Sequence, residues 1–179
     1  MKNLSLHIMD IFQNSIRAGA SKIVLEIVED TAENIFRITI TDNGCGMDDE
    51  MVKRVIDPFF TTRTTRKVGL GLPLLRQSCE QAGGSLQITS KIGEGARVDA
   101  VFAYNHIDRP VLGDVAGTVV LTASSYPDIH LVYHHLKDGK TFAFDTEEVK
   151  EALDGLSIQL PEIIRYLREM IEENLKEMG

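Results

Sequence analysis

The sequence predicts an α+β protein. Apolar residues recur at helical spacing over 3–18, two strand pairs follow at 22–42 and 85–104, and further helical patterns lie between and beyond them. Glycine clusters punctuate the joins, at "TDNGCGM", "VGLGLPLL" and "KIGEGARV". One such cluster is an ordinary turn; three of them beside apolar segments suggest a ligand approached by backbone from several sides.

Taken in order, residues 3–18 form a two-faced helix. Leu4, Ile8, Ile11 and Ile16 approximate one apolar stripe, and His7, Asp10, Asn14 and Arg17 recur on another. Gly19 stands where a helix C-terminus favours glycine. "KIVLEIVED" and "NIFRITITD" are rich in β-branched residues and read as strands. "DDEMVKRVI" is a short helix whose acidic opening suits its positive end. "DPFFTTRTTRKVG" has no core-like period and reads as a mobile loop. "LGLPLLRQSCEQAGG" is a helix with Pro73 in its first turn and a glycine pair at its close. "SLQITSK" and "ARVDAVFAY" make a hairpin around "IGEG".

Beyond residue 104 the character changes. "NHIDRPVLGDVAG" is linker-like, and "TVVLTAS", "IHLVYHHL" and "KTFAFD" look like three strands, the last two turning at Asp138-Gly139. "TEEVKEAL" and "LPEIIRYLREMIEENLKEM" are helical, the latter with a stripe of Leu160, Ile163, Ile164, Leu167, Met170 and Ile171. The reading is therefore a unit over 1–104 and a small α+β extension over 105–179, docked through that stripe.

The chain has 179 residues, 43% of them apolar, which is enough for one core with an extension. A formal charge of −8 argues against a duplex-DNA binder and leaves room for a locally basic pocket. Cys45 and Cys79 match no metal spacing and suit a reducing compartment; Cys45 reads as a small filler. Asp10 and Asn14 interrupt any signal-peptide core, and no apolar run is long enough to span a membrane. A cytoplasmic location without membrane or nucleic-acid partners is expected.

The chemistry concentrates in the first 104 residues. Asp42 ends a strand, its carboxylate open to a donor such as an exocyclic amine, and Gly44 and Gly46 clear space beside it for a flat ring. Gly69 and Gly71 open a helix, where backbone N–H groups and the helix dipole favour an anion. The preceding loop carries Arg63, Arg66 and Lys67 among four threonines, cations suited to polyphosphate. Asn14 offers a neutral oxygen to a Mg²⁺ that retains waters and bridges phosphates. Asp10, one turn earlier, is a candidate general base, and Arg17 a further cation for phosphate. Each segment alone is also an ordinary turn, wet helix face or solvated loop. Their order is what points to one site. The five histidines show no ligand pattern and read as structural.

That order resembles the GHKL superfamily of ATP-binding domains, shared by gyrase, heat-shock chaperones, histidine kinases and mismatch-repair ATPases. "DIFQNSIRAGA" is similar to its N box, with Asn14 at the magnesium position and Arg17 where histidine kinases carry a phosphate-contacting base. "DNGCGM" is similar to the first glycine box, which implies Asp42 on the adenine amine, Gly46 against the ring and Met47 beside it. "PFFTTR" resembles the kinase F box, with Phe59 and Phe60 anchoring an ATP lid. "GLGL" matches the second glycine box through Gly69, Leu70, Gly71 and Leu72, and "GEGA" the third through Gly95. The resemblance covers residues 3–104 and implies a two-layer α/β sandwich, the Bergerat fold, with a mixed sheet covered by helices on one face. It implies ATP and Mg²⁺ as ligands.

Two positions depart from the pattern. Family members that hydrolyse ATP carry glutamate where this chain has the shorter Asp10. The third box often ends in a threonine that helps hold adenine, here Ala96, a loss of about 0.5–1.5 kcal/mol. A sensor histidine kinase needs a phosphoaccepting helical hairpin before its ATP domain; with the N box beginning near Met1, that module is not expected here. The whole chain is similar to small kinase-like ATP-binding proteins associated with bacterial iron-only hydrogenase systems. Three functions follow from the resemblance: a regulatory protein with slow ATPase activity and a nucleotide-controlled lid, a serine or threonine kinase of the anti-sigma type, or a non-catalytic adenine-nucleotide sensor. Each implies a protein partner, and homodimerisation is left open.

Overall fold

The computed structural model describes residues 2–57, 59 and 71–179. Helix α1 (Leu4–Arg17) starts at Asn3, whose side chain accepts the Leu6 N–H, and ends before the turn at Ala18. Its buried face runs through Leu4, Ile8, Ile11, Phe12 and Ser15, with Ile16, which the sequence reading put on the stripe, partly buried against the same core. Strands β1 (Lys22–Asp30) and β2 (Ile35–Asp42) pair antiparallel from Ile23↔Asp42 to Asp30↔Ile35. Helix α2 (Asp49–Val55) is capped by Asp48, whose Oδ1 accepts the Met51 N–H at 2.8 Å. Helix α3 (Gly71–Gln81) leads into the hairpin of β3 (Ser85–Lys91) and β4 (Gly95–Ala103).

The segment 118–124, expected as a strand, is instead the middle of helix α4 (Val115–Ser125). The Asp114 side chain caps it, with Oδ1 accepting the Gly117 N–H at 2.9 Å. Burial explains the misreading. Val115, Ala116, Thr118, Val119, Val120, Thr122, Ala123 and Ser124 are all buried, and the narrow outer side carries Gly117, Leu121 and Ser125, so no charged face marks a period of 3.6. Valine and threonine then read as strand by propensity, and tertiary packing overrides that preference. Strands β5 (His130–Lys137) and β6 (Lys140–Asp145) follow, turning at Asp138 and Gly139 with φ of 46° and 87°. Both positive values are what a tight Asp-Gly hairpin requires. Helices α5 (Thr146–Leu153) and α6 (Pro161–Glu177) close the chain.

Among the described residues, six strands form one mixed sheet in the order β3-β4-β2-β1-β5-β6. All neighbours are antiparallel except β1 and β5, which run parallel from Lys22↔His130 to Glu29↔Lys137. Alternation along the strands sends Ile23, Leu25, Ile27, Phe36, Ile38, Ile40, Phe102, Leu131 and Tyr133 into one core with the inward faces of α1, α3, α4 and α6. Leu167 and Ile171 of α6 are buried there, and Ile163, Ile164 and Met170 pack against them. The linker-like passage is tied down: the N–H groups of Leu4 and Ser5 donate to the carbonyls of Val111 and Leu112 at 2.9 and 2.8 Å. Cys79 is buried, which pushes its thiol up to about 12, whereas Cys45 is exposed and so does not fill a gap. No helix among the described residues is long and apolar enough to cross a membrane.

Candidate functional site

The site is built along α1 and the strand ends beside it. Asp42 closes β2 and is half-buried. Its Oδ2 accepts the Ser15 hydroxyl at 2.6 Å and its Oδ1 the Gly44 N–H at 2.9 Å. An ionised carboxylate has about four acceptor positions, so two remain for an outside donor. Ser15 was not singled out by sequence reasoning. The available signal was a small polar residue at a stripe position, one helical turn after Ile11.

Two of the glycine clusters interlock. A Cβ on Gly46 would lie 2.0 Å from the Lys91 carbonyl oxygen, and one on Gly95 would lie 1.9 Å from that of Asp42. Both residues also hold positive φ, 72° and 97°. Backbone contact within the protein therefore demands glycine at both positions, whatever binds beside them. Ser90, also unforeseen, fastens the same junction: its hydroxyl accepts the Met47 N–H at 2.8 Å and donates to the Gly95 carbonyl at 2.7 Å. Ala96 is the register partner of Asp42 across β2 and β4, so the residue in the threonine position is a direct cross-strand neighbour of that carboxylate.

Further along α1, Asn14 Oδ1 accepts from Arg17 Nη2 at 2.5 Å. One turn earlier, Asp10 Oδ2 accepts from Lys2 Nζ at 2.5 Å. The N-terminus of α3 reaches the same point, since a Cβ on Gly71 would stand 3.6 Å from Asp10 Oδ2. The N-box-like helix and the second glycine cluster, 61 residues apart from Asp10 to Gly71, thus meet in space. Leu72 turns inward and packs against the core. His7, placed by the sequence reading on the polar stripe, is 3% exposed. Desolvation, with the Lys2 charge adding to it and the Asp10 charge opposing it, lowers its imidazole to about 4.

The structure therefore gathers Asp10, Asn14, Arg17, Asp42, Gly44, Gly46, Met47, Gly71, Leu72 and Gly95 about α1 and the adjoining turns. Phe59 stands apart, 94% exposed, with its N–H on Asp57 Oδ1. Arg63, Lys67, Gly69 and Leu70, with Phe60 and Arg66, lie outside the described residues. Among the described residues no group of three or more histidine, cysteine, aspartate or glutamate side chains is placed to hold a metal ion. A divalent cation at Asn14 would need phosphate oxygens and water for the rest of its shell, which is the habit of Mg²⁺.

Residues 2–105 match the family described as histidine kinase-, DNA gyrase B-, and HSP90-like ATPase. The sensor histidine kinase ZraS of Escherichia coli O157:H7 is 30% identical over 90 residues, covering 50% of this chain and 19% of that protein. The signal transduction histidine-protein kinase AtoS of Escherichia coli K12 is 38% identical over 68 residues, covering 38% of this chain and 11% of that one. The matched region thus spans less than a fifth of either relative. Among solved structures, the N-terminal domain of a DNA repair protein superposes with a TM-score of 0.56 at 15% identity, over 80% of this chain and 52% of the other. The MutL ATPase domain of Aquifex aeolicus, complexed with ADP, gives 0.50 at 15% identity, over 86% and 70%. These two likenesses concern the fold.

Proposed function

The chain belongs to the histidine kinase-, DNA gyrase B-, and HSP90-like ATPase family and carries its ATP-binding domain, and from that premise we propose that it is a Mg-ATP-binding regulatory protein with slow ATPase activity. The observation that carries this reading is the placement of polar groups along α1. Ser15 holds the Asp42 carboxylate at one end, Asn14 follows, and Asp10 meets the N-terminus of α3 about 7.5 Å further along the helix axis. A nucleotide lying beside α1 has its adenine amine on Asp42, its phosphates and Mg²⁺ at Asn14, and its terminal phosphate near Asp10.

Bound there, ATP supplies a phosphoanhydride whose terminal phosphoryl group passes to water or to a protein hydroxyl. The protein's own residues orient it. Asp42 accepts from the base, Asn14 offers its remaining carbonyl lone pair to the cation, Arg17 balances charge, and Asp10 aligns or deprotonates the attacking group. From the sequence we add Arg63, Lys67, Gly69 and Leu70 as phosphate contacts of a nucleotide-controlled lid. Residues 1–104 form the nucleotide unit in this proposal, and 105–179 contribute to stability and to partner or self-association.

One observation favours a second reading, the nucleotide sensor without catalysis: the ion pair with Lys2 engages the carboxylate that would serve as base. Calorimetry and product analysis separate these. The full chain should bind ATP or ADP in a magnesium-dependent way, and Asp42→Asn should weaken binding by about tenfold or more, because an amide cannot reproduce charge-assisted pairing. Unchanged binding by that variant removes the adenine assignment. With labelled ATP, phosphate release marks an ATPase, label on a partner marks a kinase, and binding with neither marks a sensor.

A further inference from the structure

Lys2, Asp10, His7 and Gly71 converge on one corner of the molecule, and the family pattern read from the sequence assigns no part to Lys2 or His7. Lys2 precedes α1, yet its ammonium reaches forward along the helix to Asp10 Oδ2 at 2.5 Å. Neither partner is deeply buried: the side chains are 34% and 41% exposed. The pair is therefore open to exchange with solvent ions and worth little by itself. Beside it stands Gly71, the first residue of α3, whose Cβ would lie 3.6 Å from Asp10 Oδ2, so the positive dipole end of that helix adjoins the pair. Beneath it lies His7, 3% exposed, with neither ring nitrogen partnered among the described residues.

We propose that Lys2 is a terminal-phosphate sensor: its ammonium transfers from Asp10 to the third phosphate of a nucleoside triphosphate, selecting triphosphate over diphosphate and freeing the Asp10 carboxylate. The inference rests on the nucleotide reading, which lays the phosphates along α1 from Asn14 toward Asp10. Asp10 stands one turn beyond Asn14, so an anion there belongs to the far end of the polyphosphate. A phosphate bearing close to two negative charges outcompetes a single carboxylate for the ammonium, and the α3 N-terminus adds to its advantage. A diphosphate that ends near Asn14 leaves the ion pair intact. His7, kept neutral in its desolvated setting, brings no competing charge. Its ring nitrogens are closed to solvent and make no hydrogen bond among the described residues, so what reaches the ring is the field of the Lys2 and Asp10 charges, which changes when the ammonium leaves. The weak ion pair then gives way to a triphosphate and persists beside a diphosphate.

The test is calorimetry on the full chain with magnesium and either ADP or a non-hydrolysable ATP analogue. The wild type should bind the triphosphate analogue more tightly. Lys2→Met should lower triphosphate affinity by about tenfold, the scale of one charge-assisted hydrogen bond, with ADP affinity changed by less than about twofold. Lys2→Arg should retain the preference. Independently of any variant, the His7 ring resonances of the wild type should shift on adding the analogue and stay in place on adding ADP. Equal losses for both ligands, no loss for the triphosphate, or a His7 signal indifferent to the third phosphate overturns the sensor role while leaving nucleotide binding intact. A wild type that binds neither nucleotide overturns the nucleotide reading, and the sensor with it.

Discussion

At the residue scale, His7 has the plainest thermodynamic consequence. Its ring is desolvated inside the fold with Lys2 above and Asp10 one turn away, and its imidazole is lowered from 6.5 to about 4. The unfolded chain therefore binds the His7 proton between those values while the folded chain does not. Stability attached to this residue is complete above pH 6.5 and is lost as pH falls toward 4. The loss amounts to roughly 2–3 kcal/mol by pH 4.5. His7→Leu fills similar space without the titration, so its melting temperature should fall less than that of the wild type between pH 7 and 4.5. Parallel falls in the two proteins would show that the acid sensitivity lies elsewhere. Asp42 illustrates what a sequence conveys at this scale. Its position after a strand and before glycines was legible, while the Ser15 hydroxyl that orients it became visible only once α1 was laid across the end of β2.

Helix α4 is the element on which local reasoning fails. Its termini are chemically marked, with Asp114 on the Gly117 N–H and Gly113 just before it, yet "GDVAG" reads equally well as a turn. Asp114 also accepts from Arg168 Nη2 of α6 at 2.6 Å, so one carboxylate joins the helix start to its neighbour. Asp114→Ala should cost about 1 kcal/mol, almost all of it from the lost cap, because the exposed ion pair adds little. Chemical denaturation should show a lower midpoint with an unchanged slope. Arg168→Ala, which removes the ion pair and keeps the cap, should fall well short of that cost. The glycine-led turns behave oppositely. Their residue types are dictated by backbone approach at Gly46 and Gly95, a local requirement that survives in the sequence as an unmistakable pattern.

For the whole molecule, the continuity of the sheet decides what the C-terminal part can do. β5 lies against β1 in parallel over eight register pairs, and Leu131, Tyr133, Val119, Leu167 and Ile171 belong to the same core as Leu25 and Ile27. A buried chain of hydrogen bonds crosses the seam: the Tyr133 hydroxyl meets His135 Nδ1 at 2.6 Å, and His135 Nε2 meets Glu29 Oε2 at 2.6 Å. Burial pushes the Tyr133 phenol up, and for Glu29 the desolvation that would raise its carboxyl is outweighed by the His135 contact and nearby charge, which hold it down. Truncation after Tyr104 would strip β5 from β1, expose an unpaired strand edge and uncover the α4-facing side of α1. The truncated chain should lose its cooperative melt or aggregate, read by calorimetry and light scattering. A monomer that melts like the full chain would show that the seam contributes no stability.

The sequence by itself determined the helix that opens the chain, the two glycine-linked hairpins, the order of motifs and hence the family. Each of these rests on contacts within a few residues or on backbone geometry that only certain residue types permit. The tertiary structure decided the rest. A parallel pairing between β1 and β5 joins residues 108 positions apart from Lys22 to His130, and no local pattern encodes it. Burial of most of its surface turned a strand-like run of valine and threonine into α4. The meeting of Lys2, Asp10 and Gly71 likewise arises only when α1 and α3 pack side by side, because a charge partner is chosen by distance in space, to which spacing along the chain is indifferent.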